Sequence, residues 1–116
     1  MGRPLGYGRG TPRPDLEKEF MMSIRLTVQL SIKAGKASEF AEATAAALER
    51  VRADDAGCEM YDLFKSCDDD TRFVMVESWT TEADLKAHGK SAAMGEIVKA
   101  FGEYLAGAPV IHKYEA

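Results

Sequence analysis

Residues Ile24 to Lys33 read IRLTVQLSIK, and this stretch decides the fold class. Apolar side chains occupy every second position and polar side chains the positions between; the apolar set is Ile24, Leu26, Val28, Leu30 and Ile32. Successive side chains of a strand point to opposite faces of a sheet, so a period of two indicates a strand with one buried face. The stretch therefore predicts a half-buried strand at the start of the domain.

A helix and a hairpin are predicted next along the chain. Ala34-Gly35 ends the first strand, and an alanine-rich stretch ending before Asp54 follows, in which apolar residues recur at three- and four-residue intervals: Phe40, Ala43, Ala47, Leu48 and Val51. That spacing is typical of an amphipathic helix. Residues 58–66 and 72–79 are rich in strand formers and flank the polar turn 67–71, which together predict a β-hairpin.

The second helical unit is expected in two pieces. Thr81-Glu82-Ala83-Asp84 resembles a capping box, with Asp in place of the usual Glu or Gln, and opens a short helix that Gly89 interrupts. The second piece carries an apolar stripe at helical spacing, made of Met94, Ile97, Val98, Phe101 and Leu105. Gly107 and Pro109 end it, and residues 110–114 form a short alternating strand.

The resulting order is β-α-β-β-α-β, the order of the α+β ferredoxin-like plait, in which one antiparallel sheet carries its helices on a single face. The other face of the sheet is left uncovered. The first strand gives this face polar residues, whereas the other strands give it large apolar or aromatic ones. We therefore expect a homodimer that presses sheet against sheet.

Composition describes one ordinary soluble domain: 116 residues, 46% of them hydrophobic, with a formal charge of −4. The chain lacks a basic stripe, an apolar run of membrane-spanning length and a secretory signal, so we expect no nucleic-acid partner, no membrane and a cytoplasmic location. Residues 1–20, rich in Gly, Pro and Arg, are interpreted as a flexible arm and residues 21–116 as the domain. Cys58 and Cys67 are expected to be free thiols.

Four residues attract attention for their chemistry. Glu77 shares a strand face with the only tryptophan, Trp79, so it lies either near a dimer seam or pocket or beside a cation that the sequence does not identify. A structural ion pair is favoured over a catalytic role. Trp79 is either a core anchor or the wall of a cavity. His88 is the side chain best suited to move a proton near neutral pH, although a histidine at a helix end is often simply bonded to a nearby carbonyl. His112, on the last strand, is the weaker candidate.

Motifs for nucleotide, phosphate or zinc binding are absent, and the two histidines are far apart in the sequence. The run Asp68-Asp69-Asp70 lacks the length and the following Glu of a calcium loop, so it is interpreted as a solvated hairpin tip. We expect no metal and no cofactor.

Three short motifs resemble one known family. Gly57-Cys58-x-x-Tyr61-x-Leu63, Glu77-x-Trp79 and Leu85-x-x-His88, on these elements and in this order, resemble the antibiotic biosynthesis monooxygenase (ABM) superfamily, especially its small quinol-monooxygenase-like members. The resemblance covers about residues 22–114. It implies a dimeric α/β barrel with one pocket per subunit between sheet and helices. It also implies oxidation of an electron-rich phenol or quinol by dioxygen without metal, flavin or haem.

The resemblance gives each candidate a role. His88 would be the base and Trp79 the apolar wall, while Tyr61 and Glu77 would orient substrate hydroxyl groups. Apolar lining would come from Met75, Met94 and Phe101; Phe64 cannot share a pocket with Tyr61 on a regular strand, and Tyr61 is preferred.

The chain contains no asparagine, which argues against the haem-degrading branch of the superfamily. The sequence thus predicts a cofactor-independent monooxygenase acting on a small quinol or aromatic substrate. Two alternatives stay open: a non-catalytic dimeric small-molecule-binding domain, and an isomerase of a phosphorylated signalling sugar.

Overall fold

The computed structural model describes residues 23–115, so the expected arm at residues 1–20 lies outside the described residues. Seven elements follow one another in this range: β1 (Ile24–Ser31), α1 (Ala37–Asp54), β2 (Cys58–Lys65), β3 (Arg72–Trp79), α2 (Glu82–His88), α3 (Ala92–Tyr104) and β4 (Val110–Glu115). The predicted ferredoxin-like α+β order is confirmed, including the division of the second helical unit near Gly89.

The four strands form one sheet in the order β2-β3-β1-β4, with every neighbouring pair antiparallel. In the central pair, the first residue of β1, Ile24, lies opposite the last residue of β3, Trp79. Trp79 therefore sits at one end of the sheet, whereas Met75, opposite Val28, lies near its middle.

The helical face of the sheet carries the core, as the period of two predicts. Ile24, Leu26, Val28 and Leu30 of β1 are all buried, and the residues between them are half-buried or exposed. On β3 the same face holds Phe73, Met75, Glu77 and Trp79, all buried. This burial of alternate side chains supplies most of the apolar contact between sheet and helices.

Two helix positions differ from the expected apolar pattern. In α1 the core position is taken by Thr44 instead of Ala43, which is exposed, and the Thr44 hydroxyl donates to the Phe40 carbonyl oxygen at 3.0 Å. That bond satisfies the buried hydroxyl. In α3 the expected stripe is wrong at Val98, which is 54% exposed, because the buried line runs through Ala93, Ile97 and Ala100 instead.

The opposite sheet face is open within the described residues and carries large apolar side chains. Phe64 of β2 is 49% exposed, and Val110 and Tyr114 of β4 are 49% and 54% exposed. The pairing register places Tyr114 beside Arg25, an exposed polar residue of β1. The mixture predicted for this face, polar on β1 and apolar on its neighbours, is thus observed.

Cys58 and Cys67 are both free, as expected. Among residues 23–115, no helix has the length and apolar character needed to cross a membrane.

Candidate active site

A cavity of about 200 Å³ lies between the sheet and the helices. Its lining is mainly apolar, with the side chains of one tyrosine, one glutamate and one histidine as the polar groups, and neither lysine nor arginine lines it within the described part of the chain. The lining residues are Leu26, Val28, Tyr61, Met75, Glu77, Leu85, His88, Gly89, Met94, Phe101, Pro109 and Ile111.

Two neighbouring strands and a short helix bring the polar groups together. Tyr61 of β2 lies opposite Glu77 of β3, so both side chains point to the helical face. The helix α2 begins after Thr81, whose hydroxyl accepts a hydrogen bond from the Asp84 backbone N–H at 3.1 Å, and it ends at His88. The cap predicted from the sequence therefore sets where the imidazole emerges, two turns later.

Trp79 lies in a different place from the cavity wall that the resemblance implied. Its side chain is fully buried and is not among the lining residues. The indole instead stacks on the His88 imidazole, with ring centroids 4.5 Å apart and an interplanar angle of 29°. The reason is its position at the end of β3, because the cavity lies over the middle of the sheet, beside Met75 and Glu77.

His88 is held on several sides. Its Nδ1 atom lies 2.7 Å from Asp55 Oδ2, and the two side chains are only 4% and 12% exposed. The Tyr61 ring also contacts the imidazole edge-on, with ring centroids 5.0 Å apart, and the Trp79 indole stacks on the imidazole. The partner of this helix-end histidine is thus a carboxylate rather than the backbone carbonyl considered from the sequence.

The ion pair expected for Glu77 is not found among residues 23–115. Within this range the Oε1 atom of Glu77 accepts a hydrogen bond from Trp79 Nε1 at 2.9 Å. Burial raises the pKa of Glu77, while the Trp79 hydrogen bond and the nearby His88 lower it in part. Glu77 thus has a stronger tendency than an ordinary glutamate to be a neutral acid, able to donate as well as accept.

Tyr61 keeps its proton. Its side chain is 2% exposed, and burial raises its pKa strongly, with the Glu77 charge adding to the effect. The hydroxyl has one hydrogen bond among the described residues, a long one of 3.9 Å to Met94 Sδ. Since a thioether is a weak acceptor, this hydroxyl is available to donate to a ligand oxygen in the cavity.

Cys58 is a poor nucleophile. Burial raises the pKa of its thiol, and the charges of Asp55 and Glu77 raise it further, so the reactive thiolate is disfavoured.

The cavity brings together six of the seven residues proposed from the sequence: His88, Tyr61, Glu77, Met75, Met94 and Phe101. Trp79, the seventh, stacks on the His88 imidazole but does not line the cavity. Phe64 and His112 lie outside the cavity and are exposed. In the described range, no group of three or more His, Cys, Asp or Glu side chains is arranged to hold a metal ion. The catalytic and binding roles of these residues stay predictions.

Known proteins resemble this chain in sequence and in fold. The antibiotic biosynthesis monooxygenase family matches residues 23–100. The Bacillus subtilis (strain 168) protein named "Putative monooxygenase YcnE" is 32% identical over 87 residues, which are 75% of this chain and 90% of that protein.

Two solved structures share the fold over most of their length. A protein of Caulobacter crescentus CB15 described as a "putative antibiotic biosynthesis monooxygenase" superposes with a TM-score of 0.77 at 29% identity, covering 84% of this chain and 92% of that one. A Nitrosomonas europaea protein of the same description gives a TM-score of 0.77 at 28% identity, covering 81% of this chain and 89% of that one. The family match at residues 23–100 lies within the part of the chain, about residues 22–114, that carries the resemblance seen in the sequence.

Proposed function

This chain belongs to the antibiotic biosynthesis monooxygenase family, and from that premise we propose that it oxidises a small quinol or electron-rich phenol with dioxygen, without a cofactor. Family membership supports a monooxygenase-like function at the coarse level. The observation that carries the finer proposal is one apolar cavity whose polar groups are a tyrosine hydroxyl, a glutamate carboxyl and a histidine imidazole.

The size of the cavity favours a single ring. An apolar cavity of about 150 Å³ accommodates benzene, and this one measures about 200 Å³. Met75, Met94 and Phe101 offer apolar and aromatic contacts to the faces of such a ring. The Tyr61 hydroxyl donates to one substrate oxygen, and the Glu77 carboxyl bonds another hydroxyl group.

The chemistry assigned to His88 is proton removal. A hydroquinone that loses a proton becomes a much stronger electron donor, so a base at the cavity edge lets the bound anion reduce dioxygen. In the balanced reaction, hydroquinone and dioxygen give a hydroxyquinone and water. The O–O bond breaks, one oxygen forms a C–O bond on the ring, and the other leaves as water with two protons. The four electrons come from the quinol and from the ring C–H bond that is replaced.

A second copy of this chain is proposed as the partner on the open sheet face. Phe64, Val110 and Tyr114 are each about half exposed there, and an apolar face of this kind is typical of an interaction surface. The dimeric barrel implied by the family resemblance agrees with a sheet-to-sheet pairing. We also propose a cytoplasmic location, as expected from the sequence.

The two alternatives differ in what they require of the cavity. A phosphorylated sugar calls for basic side chains or clustered backbone donors around its phosphate, and neither Lys nor Arg lines the cavity among the described residues. A domain that only binds an aromatic metabolite needs the apolar lining but no turnover.

Oxygen consumption separates these functions. Full-length protein dialysed against EDTA is mixed with a panel of single-ring hydroquinones in an oxygen electrode, and products formed under ¹⁸O₂ are analysed by mass spectrometry. We expect oxygen uptake above the uncatalysed rate and one labelled oxygen in the product. Quinone without label, together with hydrogen peroxide, would indicate an oxidase instead, and an absence of uptake with saturable ligand binding would indicate a binding domain.

A further inference from the structure

We propose that Asp55 is a positioning residue, which fixes the His88 imidazole with its proton on Nδ1 and its free lone pair on Nε2. The catalytic consequence of this arrangement rests on the function proposed above, whereas the arrangement itself does not. Asp55 does not line the cavity, so it acts through His88 rather than on the substrate.

Asp55 is held in place by its own backbone. It follows the last residue of α1, its N–H donates to the Val51 carbonyl oxygen at 3.1 Å, and its carbonyl oxygen accepts from the Cys58 N–H at 3.3 Å. Gly57, in the same turn, is also held by a hydrogen bond, because its carbonyl oxygen accepts from the Thr80 N–H at 2.8 Å. The carboxylate therefore comes from a built turn rather than from a free surface side chain.

The contacts of His88 leave little rotational freedom. Trp79 covers one face of the imidazole and the Tyr61 ring lies at 5.0 Å, while Nδ1 is 2.7 Å from the Asp55 carboxylate. Turning the ring over would exchange this short bond for an apolar C–H contact. Nε2 is therefore the ring nitrogen left for a ligand in the cavity.

The chemistry of the two groups then assigns the proton. An ionised carboxylate can only accept a hydrogen bond, so Nδ1 must donate, and the neutral imidazole then has its lone pair on Nε2. The other acid beside the ring, Glu77, is engaged by the Trp79 indole N–H. An imidazole held in this way by a carboxylate is oriented as a base, and the imidazolium formed on proton uptake is stabilised by the same carboxylate.

The test compares Asp55→Asn with Asp54→Asn in the full chain. Asp54 is the exposed neighbour at the same helix end, so its substitution removes the same charge without touching His88. Nitrogen-15 NMR of histidine-labelled protein reads the tautomer of the neutral imidazole directly from its two ring nitrogens. A His112→Gln variant assigns the resonances, because the chain has only two histidines.

In wild type and in Asp54→Asn we expect the neutral His88 proton on Nδ1. In Asp55→Asn we expect it to move to Nε2, because the side-chain amide can donate to Nδ1. A wild-type His88 protonated on Nε2 would overturn the proposal without any variant, and so would an unchanged tautomer in folded Asp55→Asn.

Kinetics then separate positioning from structural support. With an active hydroquinone, we expect kcat of Asp55→Asn to fall about 10²-fold or more, with KM little changed and Asp54→Asn unaffected. Wild-type protein that has the expected tautomer but no turnover would contradict the proposed function while supporting the role of Asp55. Full turnover in Asp55→Asn despite a shifted tautomer would overturn the catalytic part of this inference.

Discussion

The Trp79 indole lies against the His88 imidazole with ring centroids 4.5 Å apart and an interplanar angle of 29°. The contact joins the last residue of β3 to the last residue of α2. Since Trp79 also donates its Nε1 hydrogen to Glu77, one buried ring supports two of the three polar side chains of the cavity. The orientation of the proposed base thus depends on a residue that a ligand does not reach.

Replacing Trp79 by Phe keeps an aromatic ring beside His88 and removes the Nε1 donor. The Glu77 carboxyl then loses its partner in a buried position, and we expect the free energy of unfolding to fall by about 1–3 kcal/mol. Urea denaturation followed by far-UV circular dichroism measures the change, because the variant has no tryptophan left to report by fluorescence. Unchanged stability would mean that the indole hydrogen bond to Glu77 contributes nothing.

Replacing Glu77 by Gln changes how stability depends on pH. Burial raises the pKa of this carboxyl in the folded protein, so its ionisation favours the unfolded chain. The stability it contributes is complete below the unfolded glutamate pKa and is lost as the pH rises through the higher folded value. We expect Glu77→Gln to gain stability over wild type across that interval, measured as the difference in urea midpoints at matched pH values. A difference that runs in the opposite direction would show that ionised Glu77 stabilises the fold.

Gly57 and Gly35 form a matched pair for a test of the turn before β2. Both have a positive φ, 76° and 78°, so alanine is strained at either position. A Cβ at Gly57 would also clash with the carboxylate of Asp84, at the start of α2, whereas nothing lies within 4 Å of a Cβ at Gly35.

We therefore expect Gly57→Ala to lower the free energy of unfolding by about 1–3 kcal/mol, and Gly35→Ala to lower it by less. Because displacement of Asp84 disturbs the helix that ends at His88, the first variant should also lose hydroquinone turnover and the second should retain it. Equal effects of the two substitutions in thermal unfolding would contradict the close approach of this turn to α2.

The open sheet face gives a test of the proposed homodimer. Charges introduced by Phe64→Glu and Tyr114→Glu together would be buried without partners in a sheet-to-sheet interface. We expect light scattering after size-exclusion chromatography to give a dimer mass for wild type and a monomer mass for this double variant. Val98→Glu, at an equally exposed apolar position on α3, is the control and should stay dimeric. A wild-type monomer would contradict the pairing.

The fold was predictable because its pattern is local. The alternation from Ile24 to Ile32 and the polar turn at residues 67–71 both depend on neighbours in the sequence, and the structure has the strands they predict. Which residues of each helix are buried was harder to predict. Thr44 occupies a core position because its hydroxyl donates a hydrogen bond to the Phe40 carbonyl oxygen. In α3 the small side chains of Ala93 and Ala100 are buried, and Val98 faces outward.

Most of the cavity lining was also predictable, because Tyr61, Met75 and Glu77 alternate on the helical face of adjacent strands. Asp55 was missed, since 33 residues separate it from His88 and no spacing rule links a helix end to another helix. One feature of the sequence pointed to Asp55: it is an acidic residue close to Gly57, the first residue of a motif that resembles the family. The position of Trp79 behind His88 depends on how α2 lies on the sheet, which the sequence pattern does not specify.

Oxygen uptake by wild type and by His88→Gln tests the central claim most directly. Lys86→Gln, on the exposed side of the same helix, is the matched control. With a single-ring hydroquinone, we predict turnover by wild type and Lys86→Gln, and a loss of about 10²-fold or more in kcat for folded His88→Gln. Equal oxygen uptake by His88→Gln and wild type would contradict the account, because the imidazole would then not be the base.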